Sequence, residues 1–322
     1  DQDYSEVGAE ICYNTKEVFQ ADIIVKVAPP SDEEIELMTG KQTLFSALQL
    51  SVQPKHTLQK LMQKKITAIA WDFIQDEDGI YPIVRSMGEL AGTQSISIAS
   101  YLLTCYDGGR GIILGGIAGV SPTEVVVIGA GTVGEYAVRS ALGLGASVKV
   151  FDNSIYKLRR LQSDLDSRVW TSVINPKVLE KALMRADVVI GALRSQNGRT
   201  PCIVSEDMVS RMKKGSVIVD VAIDQGGCVE TAKVTTHSDP IYTVSDVVHY
   251  CVGNMPGAVA RTATQALTNA TMPWISKLAA SNADTLAKDD HHFANAINTN
   301  RGSLTNQPVA EAHNLPFKPL AV

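Results

Sequence analysis

A run of β-branched apolar residues, broken by closely spaced glycines, governs how this chain can fold: "VVVIGAGTVGEYAVRSALGLGASVKVFDN", residues 125 to 153. Four consecutive valines and isoleucines leave no polar face for water, so the strand they form is buried on both sides, as in a parallel sheet covered by helices. The GAGTVG turn then divides three tasks among its glycines. Gly129 makes the tight turn, Gly131 lets the backbone approach a pyrophosphate, and Gly134 lets the following helix pack close. The helix that starts there offers N–H groups to an anion. A second strand, "SVKVF", ends at Asp152, 18 residues beyond Gly134. An acid at that strand end accepts hydrogen bonds from ribose hydroxyls and repels a 2′-phosphate, so NAD is the expected cofactor. Lys157, Arg159 and Arg160 lie just beyond. They read as a solvated helix face, with tolerance of a phosphate as the alternative.

The alternation continues through "DVVIGA" and "SVIVDV", separated by helical stretches such as "PKVLEKALMRA", which makes residues 124 to about 222 a doubly wound α/β domain. Ligands in such sheets bind beyond the carboxyl ends of the strands. Leu193, Asp220, Asp224 and the Gly226-Gly227 pair are expected there. Asp224 is a candidate for chemistry near a nicotinamide, or else the cap of a turn.

At 322 residues the chain exceeds one ordinary core, so a second domain is expected. The first 82 residues carry another α/β pattern: strand "ADIIVKV", capped helix "SDEEIELM", strands "QTLFSAL" and "ITAIAWD". Two long helical stretches, "SMGELAGTQSISIASYLLTCY" and "GAVARTATQALTNATMPWISKLAA", read as the crossings out of and back into it. The expected organisation is therefore two Rossmann-like domains, the cofactor domain (83–256) inserted in a discontinuous substrate domain (1–82 and 257–322). The stretch "SNADTLAKDD" at 281 to 290 reads as a loop or frayed helix.

A net charge of −5 without a basic block argues against nucleic acid. Five dispersed cysteines, Cys12, Cys105, Cys202, Cys228 and Cys251, form no CxxC pair and suggest a reducing cytosol. The longest apolar runs, such as "GIILGGIAGV", fall short of the roughly 20 residues that span a bilayer. "DQDYSEVGAE" at the N-terminus does not read as a signal peptide. His249 reads as a satisfied structural residue. His291 and His292 read as solvated, and no metal is expected.

The stretches "GGRGIILGGIAGV", "VVVIGAGTVGEYA", "FDNSIYKLRRL", "VIVDVAIDQGGCVET" and "YCVGNMPGAVARTATQALTNATMPW" resemble the alanine dehydrogenases and the related NAD-binding subunits of proton-translocating transhydrogenases. The resemblance is closest to the former and covers most of residues 80 to 280. It implies reversible, NAD-dependent oxidative deamination of L-alanine to pyruvate and ammonia, in a protein that is commonly a hexamer. Position by position, it implies that Thr132 and Val133 line the pyrophosphate turn, Asp152 and Lys157 hold the adenosine ribose, and Leu193 touches the cofactor. Val221, Ala222, Ile223 and Asp224, with Val252, Gly253, Asn254 and Met255, would surround the nicotinamide, and Asp224 would act at the reacting centre.

The sequence departs from the family pattern where the family holds its substrate. Ala28 stands at the place of a substrate-binding lysine, Gln49 at that of a histidine, and Gly88 at that of a serine contacting the cofactor. The family's opening segment, with its substrate-binding arginine, has no counterpart ahead of Asp1. A keto acid needs a cation for its carboxylate and a donor for its carbonyl. Lys26, two residues from Ala28 and on the same strand face, is a candidate cation or a surface lysine. Gln49 can donate but cannot exchange a proton as an imidazole can. The acid–base work then shifts toward Asp224. An NAD(H)-binding module without dehydrogenase activity, and a dehydrogenase of another amino or imino acid, remain the alternatives.

Overall fold

The computed structural model describes residues 1–50, 53–165, 168–194 and 199–320. Twelve strands are found among them: β1 Ile23–Val25, β2 Thr43–Ser46, β3 Thr67–Ala70, β4 Glu124–Ile128, β5 Ser147–Phe151, β6 Trp170–Ser172, β7 Val188–Gly191, β8 Val217–Asp220, β9 Ile241–Val244, β10 Val247–Tyr250, β11 Ile297–Asn300 and β12 Ser303–Leu304. The chain divides into two compact units, Asp1–Val84 with Thr268–Val322, and Arg85–Leu267.

The second unit holds a seven-stranded sheet in the order β6-β5-β4-β7-β8-β10-β9. Its first six strands are parallel, and β9 turns back antiparallel on β10. Strand order reverses between β4 and β7, which is the topological switch point of a doubly wound fold. Val125, Val126, Val127 and Ile128 of β4 are all buried, as are Val188, Val189 and Ile190 of β7. Their alternate side chains feed two separate cores, one on each face of the sheet. This is why the strands read as unbroken apolar runs.

In the first unit the sheet order is β1-β2-β3-β11-β12. Its first three strands run parallel, while β11 and β12 are antiparallel additions. The helix Asp32–Leu37 starts at Ser31 with a complete capping box closed by Glu34. Residues 281 to 290, read above as a loop or frayed helix, contain the helix Ala283–Asp289, capped by the Asn282 side chain on the Thr285 N–H. Helices Pro82–Leu102 and Ala260–Ala280 carry the chain across the two unit boundaries. No helix among the described residues is long and apolar enough to cross a membrane.

Candidate functional site

The glycine turn follows β4 directly. Gly129 has φ of +116°, and a Cβ there would lie 2.4 Å from the Ala192 carbonyl oxygen after β7. Gly134 is closed to a side chain in another way: its Cβ would meet the Gly129 carbonyl oxygen at 1.9 Å. Gly131 differs from both, since nothing lies within 4 Å of the position its Cβ would take. The backbone is thus locked on the protein side and open at Gly131. Helix Thr132–Gly143 begins there without a side-chain cap, so its first N–H groups have no side-chain acceptor.

Asp152 ties the end of β5 to this turn. Its Oδ2 accepts from the Ala130 N–H at 2.8 Å and its Oδ1 from the Ser154 N–H at 2.7 Å. Each oxygen keeps a lone pair for a hydroxyl. A cavity of about 170 Å³ opens beside it, walled by Gly131, Asp152, Lys157, Leu193 and Arg194 among others. An acid for the ribose, an open glycine backbone for the phosphates and an apolar wall at Leu193 fit a dinucleotide. The carboxyl ends of β4, β5 and β7 therefore bring together Gly129, Gly131, Thr132, Val133, Gly134, Asp152, Lys157 and Leu193.

The second group forms beyond β8 and β10. A 3-10 turn, Val221–Gln225, carries Asp224. The Asp224 carboxylate accepts from the Asn254 N–H, 3.2 Å from Oδ1 and 3.4 Å from Oδ2. Asp224 keeps an exposed edge, yet partial burial raises its pKa, and the Asn254 N–H opposes that rise. Gly253 is in the same contact, its absent Cβ 3.0 Å from Oδ1. Ala222, Ile223, Val252 and Met255 are buried and shape the two turns from within, while Val221 is partly buried.

Asp220 underlies the whole loop. Fully buried, it accepts from the N–H groups of Ala222 (3.1 Å), Cys228 (2.8 Å) and Val229 (3.3 Å). Burial pushes its pKa up to about 6 against those hydrogen bonds. Gly191 and Gly227 leave room for it, since a Cβ on either would fall 2.6 or 2.8 Å from its oxygens. The sequence names Asp220 only as a loop acid; the glycines on both sides of it are the signal for its burial.

Gly88 and Gly92 lie against the helix that follows the glycine turn. A Cβ on Gly88 would touch Thr132 and Val133 at 3.5 Å, and one on Gly92 would strike the Val133 carbonyl oxygen at 2.3 Å. The i, i+4 glycine spacing lets helix Pro82–Leu102 press against the start of the cofactor-turn helix.

His249 is structural in its bonding. A carbonyl can only accept, so Nδ1–H donates to the Val247 oxygen (2.9 Å), and Nε2 must accept from Thr231 Oγ1 (2.8 Å). Its ring stacks on Tyr242 at 5.0 Å, and burial lowers its pKa. The His291 and His292 rings lie 3.8 Å apart, tilted by 38°, with His291 exposed as expected and His292 partly buried rather than solvated. Among the described residues no three His, Cys, Asp or Glu side chains converge as a metal site.

The remaining candidates belong to the first unit. Lys26 pairs with the Glu34 carboxylate and donates to the Pro29 carbonyl at 3.4 Å. The Ala28 carbonyl oxygen accepts from the Ser46 hydroxyl at 2.8 Å. Gln49 is exposed, with φ of +46° between buried Leu48 and Leu50. A left-handed backbone at a residue with a long side chain is a strained arrangement of the kind found at functional positions.

The comparisons with known proteins agree with this architecture. The family description "Alanine dehydrogenase/PNT, N-terminal domain" matches residues 1–91, and "Alanine dehydrogenase/PNT, C-terminal domain" matches residues 95–307. The sequence is 43% identical over 318 residues to an alanine dehydrogenase of Halomonas elongata, covering 98% of this chain and 85% of that one. It is 42% identical to one of Mycolicibacterium smegmatis with the same coverage. Among solved structures, an L-alanine dehydrogenase superimposes with a TM-score of 0.89 at 39% identity, over 98% of this chain and 86% of the other. A transhydrogenase from Sinorhizobium meliloti shares the fold, with a TM-score of 0.77 at 22% identity over 95% of this chain and 86% of that one.

Proposed function

We propose, from the premise that the chain belongs to the alanine dehydrogenase/PNT family, that it catalyses the reversible, NAD-dependent oxidative deamination of L-alanine to pyruvate and ammonia. Identity of 43% across 98% of the chain to an alanine dehydrogenase is the observation that carries this reading. A bound nicotinamide would supply hydride acceptance from the α-carbon of alanine, and hydride donation in the reverse direction. The chain's own residues bind, orient and move protons. Backbone N–H groups at Thr132 and Val133 hold the pyrophosphate, and Asp152 holds the adenosine ribose. Asp224, its pKa raised by partial burial, takes the proton released as water adds to the substrate imine and ammonia leaves. By the same family reading the protein is a cytoplasmic homohexamer.

The test is oxidation of NADH by pyruvate with ammonium, run beside other 2-oxo acids. Pyruvate should give the highest kcat/KM. Better turnover of another 2-oxo acid would reassign the substrate. Ala28 and Gln49 favour a second reading, a module that binds NAD(H) without dehydrogenation, and NADH binding without any turnover would select it.

Asp152 sets the expected cofactor preference. NADH should bind at least about tenfold more tightly than NADPH, because the carboxylate accepts from the ribose and repels its phosphate. Asp152→Ala should narrow that gap. Calorimetry showing equal or better NADPH binding by the unaltered protein would remove the argument.

A further inference from the structure

Asn254 sits in the left-handed region, with φ of 53° and ψ of 52°, and its N–H is the hydrogen-bond donor to Asp224. Asparagine enters that region more readily than other residues with a Cβ, and here both of its flanking peptide groups are also held. The amide end is held by the Asp224 carboxylate. At the other end, the Asn254 carbonyl oxygen lies 3.2 Å from Nε2 of His237.

His237 comes from a loop that is itself fixed to this end of the sheet. The Thr235 N–H donates to the Cys251 carbonyl at 3.0 Å, and Thr235 bridges to Val252. The following residues turn back through Thr236 and Asp239. Gly257 completes the seat: a Cβ there would fall 3.1 Å from His237 Nε2 and 3.3 Å from Asn254 Nδ2. Because a carbonyl only accepts, Nε2 carries the proton in this contact. The neutral Nε2–H ring and the imidazolium both satisfy it, so the contact does not depend on the charge of His237.

We propose that His237 is a positioning residue for the reaction, pinning the Asn254 carbonyl and so fixing the hydrogen bond that Asn254 gives to Asp224. The proposal rests on the reading of Asp224 as the acid–base group. Two influences act on the Asp224 carboxyl: enclosure, which raises its pKa, and the Asn254 N–H, which lowers it. Asn254 meets it through its backbone N–H, and no charged side chain among the described residues contributes to its shift. If the Asn254 peptide is released, only the raising influence is left.

The test compares His237→Ala with His237→Gln in the full chain. Glutamine keeps an N–H donor for the carbonyl, and alanine does not. The direct readout is the titration of the Asp224 carboxyl 13C resonance, assigned by its loss in Asp224→Asn. The midpoint should rise by about one pH unit in His237→Ala and return toward the original value in His237→Gln. The acid limb of kcat/KM for alanine should move by the same amount, an approximately tenfold loss of activity below the midpoint. Tm should change little in either variant, since His237 is exposed. An Asp224 midpoint unmoved by His237→Ala, or moved equally by both substitutions, would overturn the proposal. Absence of alanine turnover in the unaltered protein would overturn the proposed function instead, and the carboxyl titration would still decide the role of His237.

Discussion

Asp224→Asn should lower kcat by about 10²-fold or more while NADH affinity stays nearly constant. The substitution preserves size, and the amide oxygen can still accept from the Asn254 N–H that now lies 3.2 Å from Oδ1. What disappears is the ability to take and return a proton. Gln49 cannot supply it, because a neutral amide does not titrate in water. Lys26 is engaged with Glu34 and the Pro29 carbonyl. A small effect on KM beside a large one on kcat would identify an interaction used in the chemical step rather than in binding. Steady-state kinetics in both directions, with calorimetric NADH titration of the same preparation, check this. Unchanged turnover would place the chemistry elsewhere.

The glycine turn was legible because each of its constraints is local. Gly129, Gly131 and Gly134 fall at fixed spacings from a strand, and the structure separates them as the turn chemistry requires: two closed to any Cβ and one open. The parallel strands were legible because burial on both faces removes polar residues from them. Where burial is met by polar side chains, the pattern fails. β11 reads Ile-Asn-Thr-Asn, yet all four residues are buried. The Asn298 Nδ2 donates to the Ala296 carbonyl, Thr299 Oγ1 to that of Ile66, and Asn300 Nδ2 to Asp284. Those bonds join residues up to 233 positions apart, which no local period reveals. The helix at Ala283–Asp289 was half-legible: Asn282 is an N-cap residue type, and the alanines at 283 and 287 form its buried face. Gln49 was found by its resemblance position, but its left-handed backbone was not, since only glycine and asparagine advertise that conformation. His237 escaped notice because its role depends on a carbonyl 17 residues away.

Asp220→Ala should destabilise the second unit by about 3 kcal/mol, the balance of two opposed terms. Truncation strands the N–H groups of Ala222, Cys228 and Val229, each costing about 1–3 kcal/mol when buried without an acceptor. It also removes a carboxylate whose ionisation the fold resists, since burial raises the pKa from 3.8 to about 6, a difference worth about 3 kcal/mol. The sign of the pH dependence follows. The folded chain holds the Asp220 proton to higher pH than the unfolded chain does, so this group's contribution is fully present below pH 3.8 and is lost as pH rises through about 6. Asp220→Asn should abolish that slope as well, but at smaller cost, because the amide keeps one oxygen for the Cys228 and Val229 donors while its NH2 faces the Ala222 N–H. A 3 kcal/mol loss corresponds to a fall in Tm of roughly 6–12 °C for a unit of this size. Unfolding monitored from pH 4 to pH 7 in all three proteins separates the terms. An unaltered pH slope in Asp220→Asn would show that this carboxyl is not the group that titrates, and a Tm loss in Asp220→Ala no larger than in Asp220→Asn would remove the backbone donors from the account.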